Sequence, residues 1–407
     1  MPPANSSPES DDDSAVAMDR PPQQRGQLVL LAVAVVLSMS PWFSTAAVMP
    51  QLRKLWRLDS NAASWLTISV QLGFVFGALL SSVLNLADRV RPRRLILVGS
   101  VSAAVANMGV VQGGGYGPAL ISRFVTGAAL AFVYPPAVKA VSGWYRTGRG
   151  LAIGVTIGAL TTGSALPHLV NAVGRPSWKV TLAVVSILTV AGGVLAERTT
   201  TDGPFLGASV AFDPTLLRTL LRNRKFRLAC VGYFGHMWEL YAMWAWIGVF
   251  YADTKVAGPG RTASILTFVT IAAGAGGSVV AGRFSDRTSR PRAAATALII
   301  SGTLATFTGF TTRMPLAVTA ILAIAWGASV VADSAQFSAI VTEVTDQHQV
   351  GTALTVQLAA GFVLTVFTIF LVPVVRDAAS WGWAFAMLTP GPVVGVWAMR
   401  QLERASR

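Results

Sequence analysis

Deep inside long apolar runs of this 407-residue sequence stand a few ionisable side chains whose types and spacing could do chemistry. Of eighteen acidic residues, only Glu239 and Asp333 lie well within such runs. His236 precedes Glu239 by three positions, a spacing that puts both on one face of a helix. Tyr233 and Trp246 extend that stripe, so one face carries an acid, an imidazole and two amphipathic rings. Asp333 has Trp326, Ser329 and Gln336 at helical spacing. An ionisable group at mid-bilayer costs roughly 2.5–3.5 kcal/mol on insertion scales, so each of these needs a reason. A carboxyl that lines a cavity can load and release a proton. The structural alternatives are a His236–Glu239 hydrogen bond joining helices and, at Asp333, a buried acid neutralised by a proton or a neighbour. The sequence does not rank the two acids.

Arg123 is the one deep base of the first half. It could bind an anionic solute, or answer a helix-end carbonyl or a polar neighbour. Trp42 after Pro41, Gln71, Tyr134 and Gln357 complete the set of side chains suited to a cavity wall, and each could equally be packing. Pro135 and Pro136 should kink their helix, and such breaks are tolerated where a span lines a cavity. His168, after Pro167, reads as an ordinary histidine near an interface. Lys139, close to a helix end, should snorkel.

No phosphate-binding glycine loop, metal-ligand cluster or nucleophile triad is evident. Gly113 to Gly115 lack the lysine of a nucleotide loop, so ATP-driven pumping, enzymatic activity and a cofactor are not expected. Cys230, the single cysteine, excludes an internal disulfide and reads as a small core residue.

The elements that must position these groups follow from composition. The chain is 53% hydrophobic and 12% charged, with a mean hydropathy of +0.56, unlike a soluble domain. Its net charge of +14 falls between the apolar runs and reads as topology signal and lipid contact, with no nucleic acid implied. Twelve spans are expected, at 27–49, 62–86, 95–111, 117–141, 150–173, 177–195, 228–251, 262–284, 293–311, 315–341, 349–375 and 381–400. Each is about long enough to cross a bilayer as a helix. An even number puts both termini on one side, and the excess of Lys and Arg in the turns on that side makes it the cytoplasmic one. Residues 1–26 read as a disordered tail without a cleavable signal. Two six-helix bundles, 27–196 and 228–407, flank a linker at 197–227. Asp213 and Pro214 start a helix there, with Leu216, Leu217, Leu220 and Leu221 on one face and Arg218, Arg222 and Lys225 on another. That pattern suits an amphipathic helix on an anionic leaflet, or a plain basic linker.

The two bundles are copies. The turn 85–94, NLADRVRPRR, returns as 282–292, GRFSDRTSRPR, with Asp286 and Arg287 matching Asp88 and Arg89. Gly127 pairs with Gly327 and Gly150 with Gly351 at nearly the same offset, as an internal duplication requires.

At these residues the chain resembles the major facilitator superfamily. Asp88, Arg89, Arg93 and Arg94 match its charged-turn signature, with Leu84 and Arg91 standing where glycines are usual. Gly282, Asp286 and Arg287 keep the second copy. Arg123 and Gly127 resemble its buried-arginine motif, and the turn 143–154, GWYRTGRGLAIG, its link from span four to span five. The resemblance covers about residues 27 to 400. It implies an all-helical membrane fold of two six-helix bundles around a central cavity, with the charged-turn Asp near the start of span eleven helping to close the cytoplasmic side. Asp88, Arg89, Asp286 and Arg287 are then gating residues, and Arg123 has a structural and coupling role. Span two lacks the mid-span arginine of nitrate porters, and span five lacks the Gly-Pro pair usual in drug–proton antiporters. The expectation is a monomeric, proton-coupled carrier of a small organic solute in a bacterial inner membrane. A proton-driven efflux pump for toxic or amphipathic compounds is the alternative, and a non-transporting sensor a more distant one.

Overall fold

The apolar runs fold into helices whose starts are set by local chemistry. A computed structural model describes residues 23–174, 176–207, 212–254, 257–258 and 260–405 of the chain. The acidic tail as far as Pro22 lies outside the described residues, as does Lys255. The first half contains α1 (Gln24–Ser38), α2 (Ser60–Val83), α3 (Pro92–Gln112), α4 (Tyr116–Leu130), α5 (Tyr134–Ser142), α6 (Arg149–Ala172) and α7 (Trp178–Thr199). The second contains α8 (Arg224–Asp253), α9 (Arg261–Arg287), α10 (Arg290–Thr308), α11 (Leu316–Ala332), α12 (Ser334–Val344), α13 (Val350–Ala378), α14 (Trp381–Ala386) and α15 (Pro390–Ala405). Asp59 caps α2 by accepting from the Ala62 amide at 2.7 Å, and Asn223 caps α8 through the amides of Lys225 and Phe226. Both charged turns end with proline in the first turn of the next helix, Pro92 in α3 and Pro291 in α10, where a missing N–H costs nothing.

Among the described residues, nine helices are long and apolar enough to cross a membrane by length and composition. The expected first and last spans are interrupted, at Met39–Phe43 around Pro41 and ahead of Pro390. Spans four and ten are each built of two helices, α4–α5 and α11–α12. Large apolar side chains such as Val105, Ile121, Ile187, Val280 and Ile321 point outward and are more than half exposed. A surface this apolar on every side suits lipid.

The duplication is visible in the packing. Gly127 of α4 crosses so close to α2 that an added Cβ would strike the Val70 carbonyl, and Gly327 of α11 crosses α9 against Thr270 in the same way. In the first charged turn the left-handed residue is Asn85, with φ of 50°, while Leu84 stays helical. Asparagine tolerates that conformation, so the turn forms without glycine at position 84.

The halves meet through α2 against α13 and α6 against α9. At one end Ser82 lies 3.2 Å from Thr355, and Asp286 lies beside Gly150 at the start of α6. At the far end, Arg376 bonds Ser60 at 3.0 Å and Asn171 bonds Ser264 at 3.1 Å. The halves are thus in contact at both ends. The linker helix is shorter than its sequence pattern suggests. It runs as a 3-10 turn over Pro214–Leu216 and a helix over Leu217–Arg222, because Asn223 caps α8 and draws Arg224 to Arg227 into it. Leu220 is buried against the second half, while Leu221 is 56% exposed.

Candidate functional site

Between the two halves is a small pocket of about 80 Å³. Trp42, Phe74, Tyr134 and Thr161 line it from the first half; Tyr233, His236, Tyr241, Trp244, Ser334 and Phe362 are among those lining it from the second. The rings pack on one another. Trp42 stacks on Tyr241 at 5.9 Å and tilts on Phe74 at 4.8 Å, and Phe74 and Tyr241 each approach Phe362 within 5 Å. Such pairs contribute about 0.5–1.5 kcal/mol beyond area burial, and they join the halves at mid-depth.

Trp42 is held in place by Arg123. The interruption of span one frees backbone carbonyls, and Arg123 Nη2 donates to the Trp42 carbonyl at 2.5 Å. Its Nη1 donates to Asn107 Oδ1 at 3.0 Å and to Ser44 Oγ at 3.1 Å. Asn107 in turn donates to the Leu182 carbonyl and Ser186. The guanidinium is completely buried and its described acceptors are neutral, so it ties α4 to the broken span and to α3 and α7. Asn107 and Ser44, missed in the sequence, were signalled only as polar residues in apolar stretches.

The second-half stripe divides between different neighbours. His236 Nδ1 lies 2.7 Å from Asp333 Oδ1, off the line of a good hydrogen bond, and its Nε2 lies 3.1 Å from Ser334 Oγ. Asp333 sits at the joint between α11 and α12 and is 1% exposed. Glu239 accepts from Trp326 Nε1 at 2.5 Å and from Ser301 Oγ at 2.9 Å, and it is fully buried within the second half. It is not among the pocket's lining residues. The imidazole's acidic partner is therefore Asp333, one helix pair away, and a His236–Glu239 hydrogen bond does not form. Trp246 turns instead to α13, donating to the Ile369 carbonyl at 2.9 Å.

Gln71, Gln336 and Gln357 are buried with amide atoms lacking a partner among the described residues, both atoms in the case of Gln71, and none of the three lines the pocket. At the charged turns, Lys139 binds Asp88 at 2.5 Å and the Ala87 carbonyl at 2.6 Å, within the first half. Asp286 lies at the N-terminus of α6, where a carboxylate is favoured, and Arg89 and Arg287 are exposed. His168 is 4% exposed and lines a separate far-end vestibule of about 400 Å³ with Asn171 and Asp253. Among the described residues, no cluster of three or more His, Cys, Asp or Glu side chains is arranged to hold a metal ion.

A helical membrane protein of two similar halves closed around an aromatic pocket is what this fold and site define. The sequence model of the Major Facilitator Superfamily matches residues 31–333, and the chain belongs to that family, which is one of transporters and not of enzymes. Among solved structures, a bacterial homologue of the human lysosomal transporter Spinster, in an inward-facing and occupied conformation, superposes with a TM-score of 0.67. The match covers 95% of this chain and 97% of that one at 14% identity, a likeness of fold. No curated protein matches the chain in sequence.

Proposed function

We propose that the chain is a secondary active transporter that moves a small organic solute across the cytoplasmic membrane in symport with protons. In this reading twelve spans form two six-helix bundles with both termini inside, and the chain acts as a monomer. The observation that carries it is the pocket between the halves with a histidine–carboxylate pair on its wall. Alternating access needs a site that opposing helix pairs can expose one side at a time. Here α2–α13 and α6–α9 are those pairs. Asp333 with His236 is the proton site that the geometry favours, because His236 lines the pocket and touches Asp333 directly. Glu239 is the rival, held by Trp326 and Ser301 away from the solute. Trp42, Tyr134 and Tyr233 contact the solute, Arg123 positions Trp42, and Gln71, Gln336 and Gln357 stand behind the walls. Asp88, Arg89, Asp286 and Arg287 govern closure at the cytoplasmic end.

Purified protein in proteoliposomes, screened against solutes under an imposed pH gradient, tests this directly. The expected result is accumulation that a protonophore abolishes. Equilibration that ignores the gradient would remove the proton from the mechanism, and a protein that moves no solute would leave only the fold.

A further inference from the structure

Among the interior tryptophans, two stand apart. The indole N–H groups of Trp144, Trp238, Trp246, Trp326 and Trp381 each have a hydrogen-bond acceptor. Those of Trp42 and Trp244 have none among the described residues, although both side chains are 1% exposed. Both line the central pocket, one from each half. An indole nitrogen can only donate, and leaving a buried donor unpaired costs about 1–3 kcal/mol. Two such donors on one cavity call for an acceptor that arrives with the ligand.

The charges around the pocket narrow the ligand further. Its described lining holds no Lys, Arg, Asp or Glu, and His236 lies against Asp333 and Ser334. Arg123 is committed to Trp42, Asn107 and Ser44, and Glu239 to Trp326 and Ser301. A bare ion entering this space would find Asp333 and His236 already facing each other, and burying an unpaired charge is far costlier than burying a neutral dipole. Ring faces attract cations, but two unpaired N–H donors on the wall residues oppose one. The remaining walls are flat aromatic surfaces suited to an aromatic or alicyclic body.

We infer that the solute is an uncharged, largely aromatic or alicyclic compound bearing a carbonyl or hydroxyl oxygen, which accepts hydrogen bonds from Trp42 Nε1 and Trp244 Nε1. This deepens the transporter reading and rests on it for the pocket's role. The oxygen bridges the two halves, so an occupied pocket is held shut from both sides.

The test uses the full chain in detergent and tritiated methyl naphthyl ketone, scoring only the saturable part of its binding. Ethylnaphthalene, naphthoate and naphthyltrimethylammonium, which keep the ring system and change the head group, compete against it. The ketone is expected to bind at least tenfold more tightly than naphthoate and naphthyltrimethylammonium, and about fivefold more tightly than ethylnaphthalene, as one net hydrogen bond allows. Trp42→Phe and Trp244→Phe keep a ring and remove the donor, and each should bring ketone and ethylnaphthalene within about twofold. Tighter binding of either ion, no saturable ketone binding, or an unchanged preference in both variants would overturn the inference. If the solute screen then finds other compounds carried, transport stands without this ligand class. If the donor-dependent preference appears but no solute of this class is moved, the pocket chemistry stands and the transporter reading fails.

Discussion

The two halves share a helix frame but not an interior. Gly127 and Gly327 make the same close crossing, and the repeat places Arg123 of α4 opposite Ala323 of α11. Where the first half has a buried guanidinium, the second has a buried methyl group, completely enclosed. The reverse holds at the next break, where Asp333 corresponds to Val133. In the first half the ion is surrounded by neutral acceptors that stay with it. In the second, His236 and Asp333 lie against each other at the pocket wall. A duplicated fold thus places a buried cation among neutral acceptors in one copy and a histidine–carboxylate contact in the other.

The largest effect should come from breaking the fixed side. Arg123→Leu leaves the Trp42 carbonyl without its donor and takes a partner from Asn107 and Ser44, and leaving a buried polar group unpaired costs about 1–3 kcal/mol. The variant should show a clearly lower thermal denaturation temperature and a poor monodisperse yield in detergent. Denaturation at the parent temperature would mean that Arg123 is not a structural clamp.

Next comes the histidine–carboxylate side. Asp333→Asn should still bind and exchange solute but lose at least tenfold in accumulation driven by a pH gradient, since the amide cannot carry the proton. Glu239→Gln, whose Oε1 can still accept from Trp326 Nε1 while its Nε2 donates to Ser301 Oγ, should retain most accumulation. If the two results are exchanged, Glu239 is the coupling acid and the His236–Asp333 pair is helix-packing glue.

Much of the frame was legible in the sequence, and its reasons are physical. Apolar runs long enough for a bilayer, charged turns repeated half a chain apart and prolines at helix starts all act locally, so they survive translation into pattern. The Pro135–Pro136 break was readable for the same reason. The partners inside the second half were not. A three-residue spacing places His236 and Glu239 on one face, but a face packed by several helices is divided among them, and the break at Asp333 carries neither proline nor glycine. The aromatic wall was only partly visible: Tyr241, Trp244 and Phe362 look like ordinary core until tertiary packing turns them toward Trp42.

The charged turns offer a smaller test of whether the halves close alike. Asp88 pairs with Lys139 inside its own half, whereas Asp286 reaches across to the start of α6 in the other. Asp286→Asn should therefore slow turnover by a few-fold, and Asp88→Asn by less, with solute affinity preserved in both. A carboxylate at a helix N-terminus contributes about 0.3–1 kcal/mol, which bounds the rate change at roughly fivefold. Equal slowing in both variants would restore the symmetry that the contacts break.

The smallest effect is expected in the linker, which the two halves share unequally. Its first part lies on the first half: Trp144 donates to the Thr201 carbonyl, and Arg146 stacks over Phe205. Its second part lies on the second half, with the Asp213 amide bound to Thr352 at 2.9 Å and Asn223 bound to the Val344 carbonyl. Asp213 also caps the short helix by accepting from the Thr215 hydroxyl at 2.6 Å and its amide at 2.8 Å. Those two bonds hold its carboxyl below the usual carboxylate range, the hydroxyl contributing most. A carboxyl lowered in the folded state stabilises that state above its unfolded pKa, and the contribution disappears as pH falls through the lowered value. Hydrogen exchange at the amides of Leu217–Arg222, corrected for intrinsic rates, should therefore lose protection as the medium is acidified through the carboxylate range. In Asp213→Asn the same amides should show a flat profile, because the amide side chain does not titrate. The segment around Phe205, anchored on the first half, should keep its protection in both proteins. If the parent and the variant lose protection together on acidification, a different carboxylate controls the linker and Asp213 is only a turn residue.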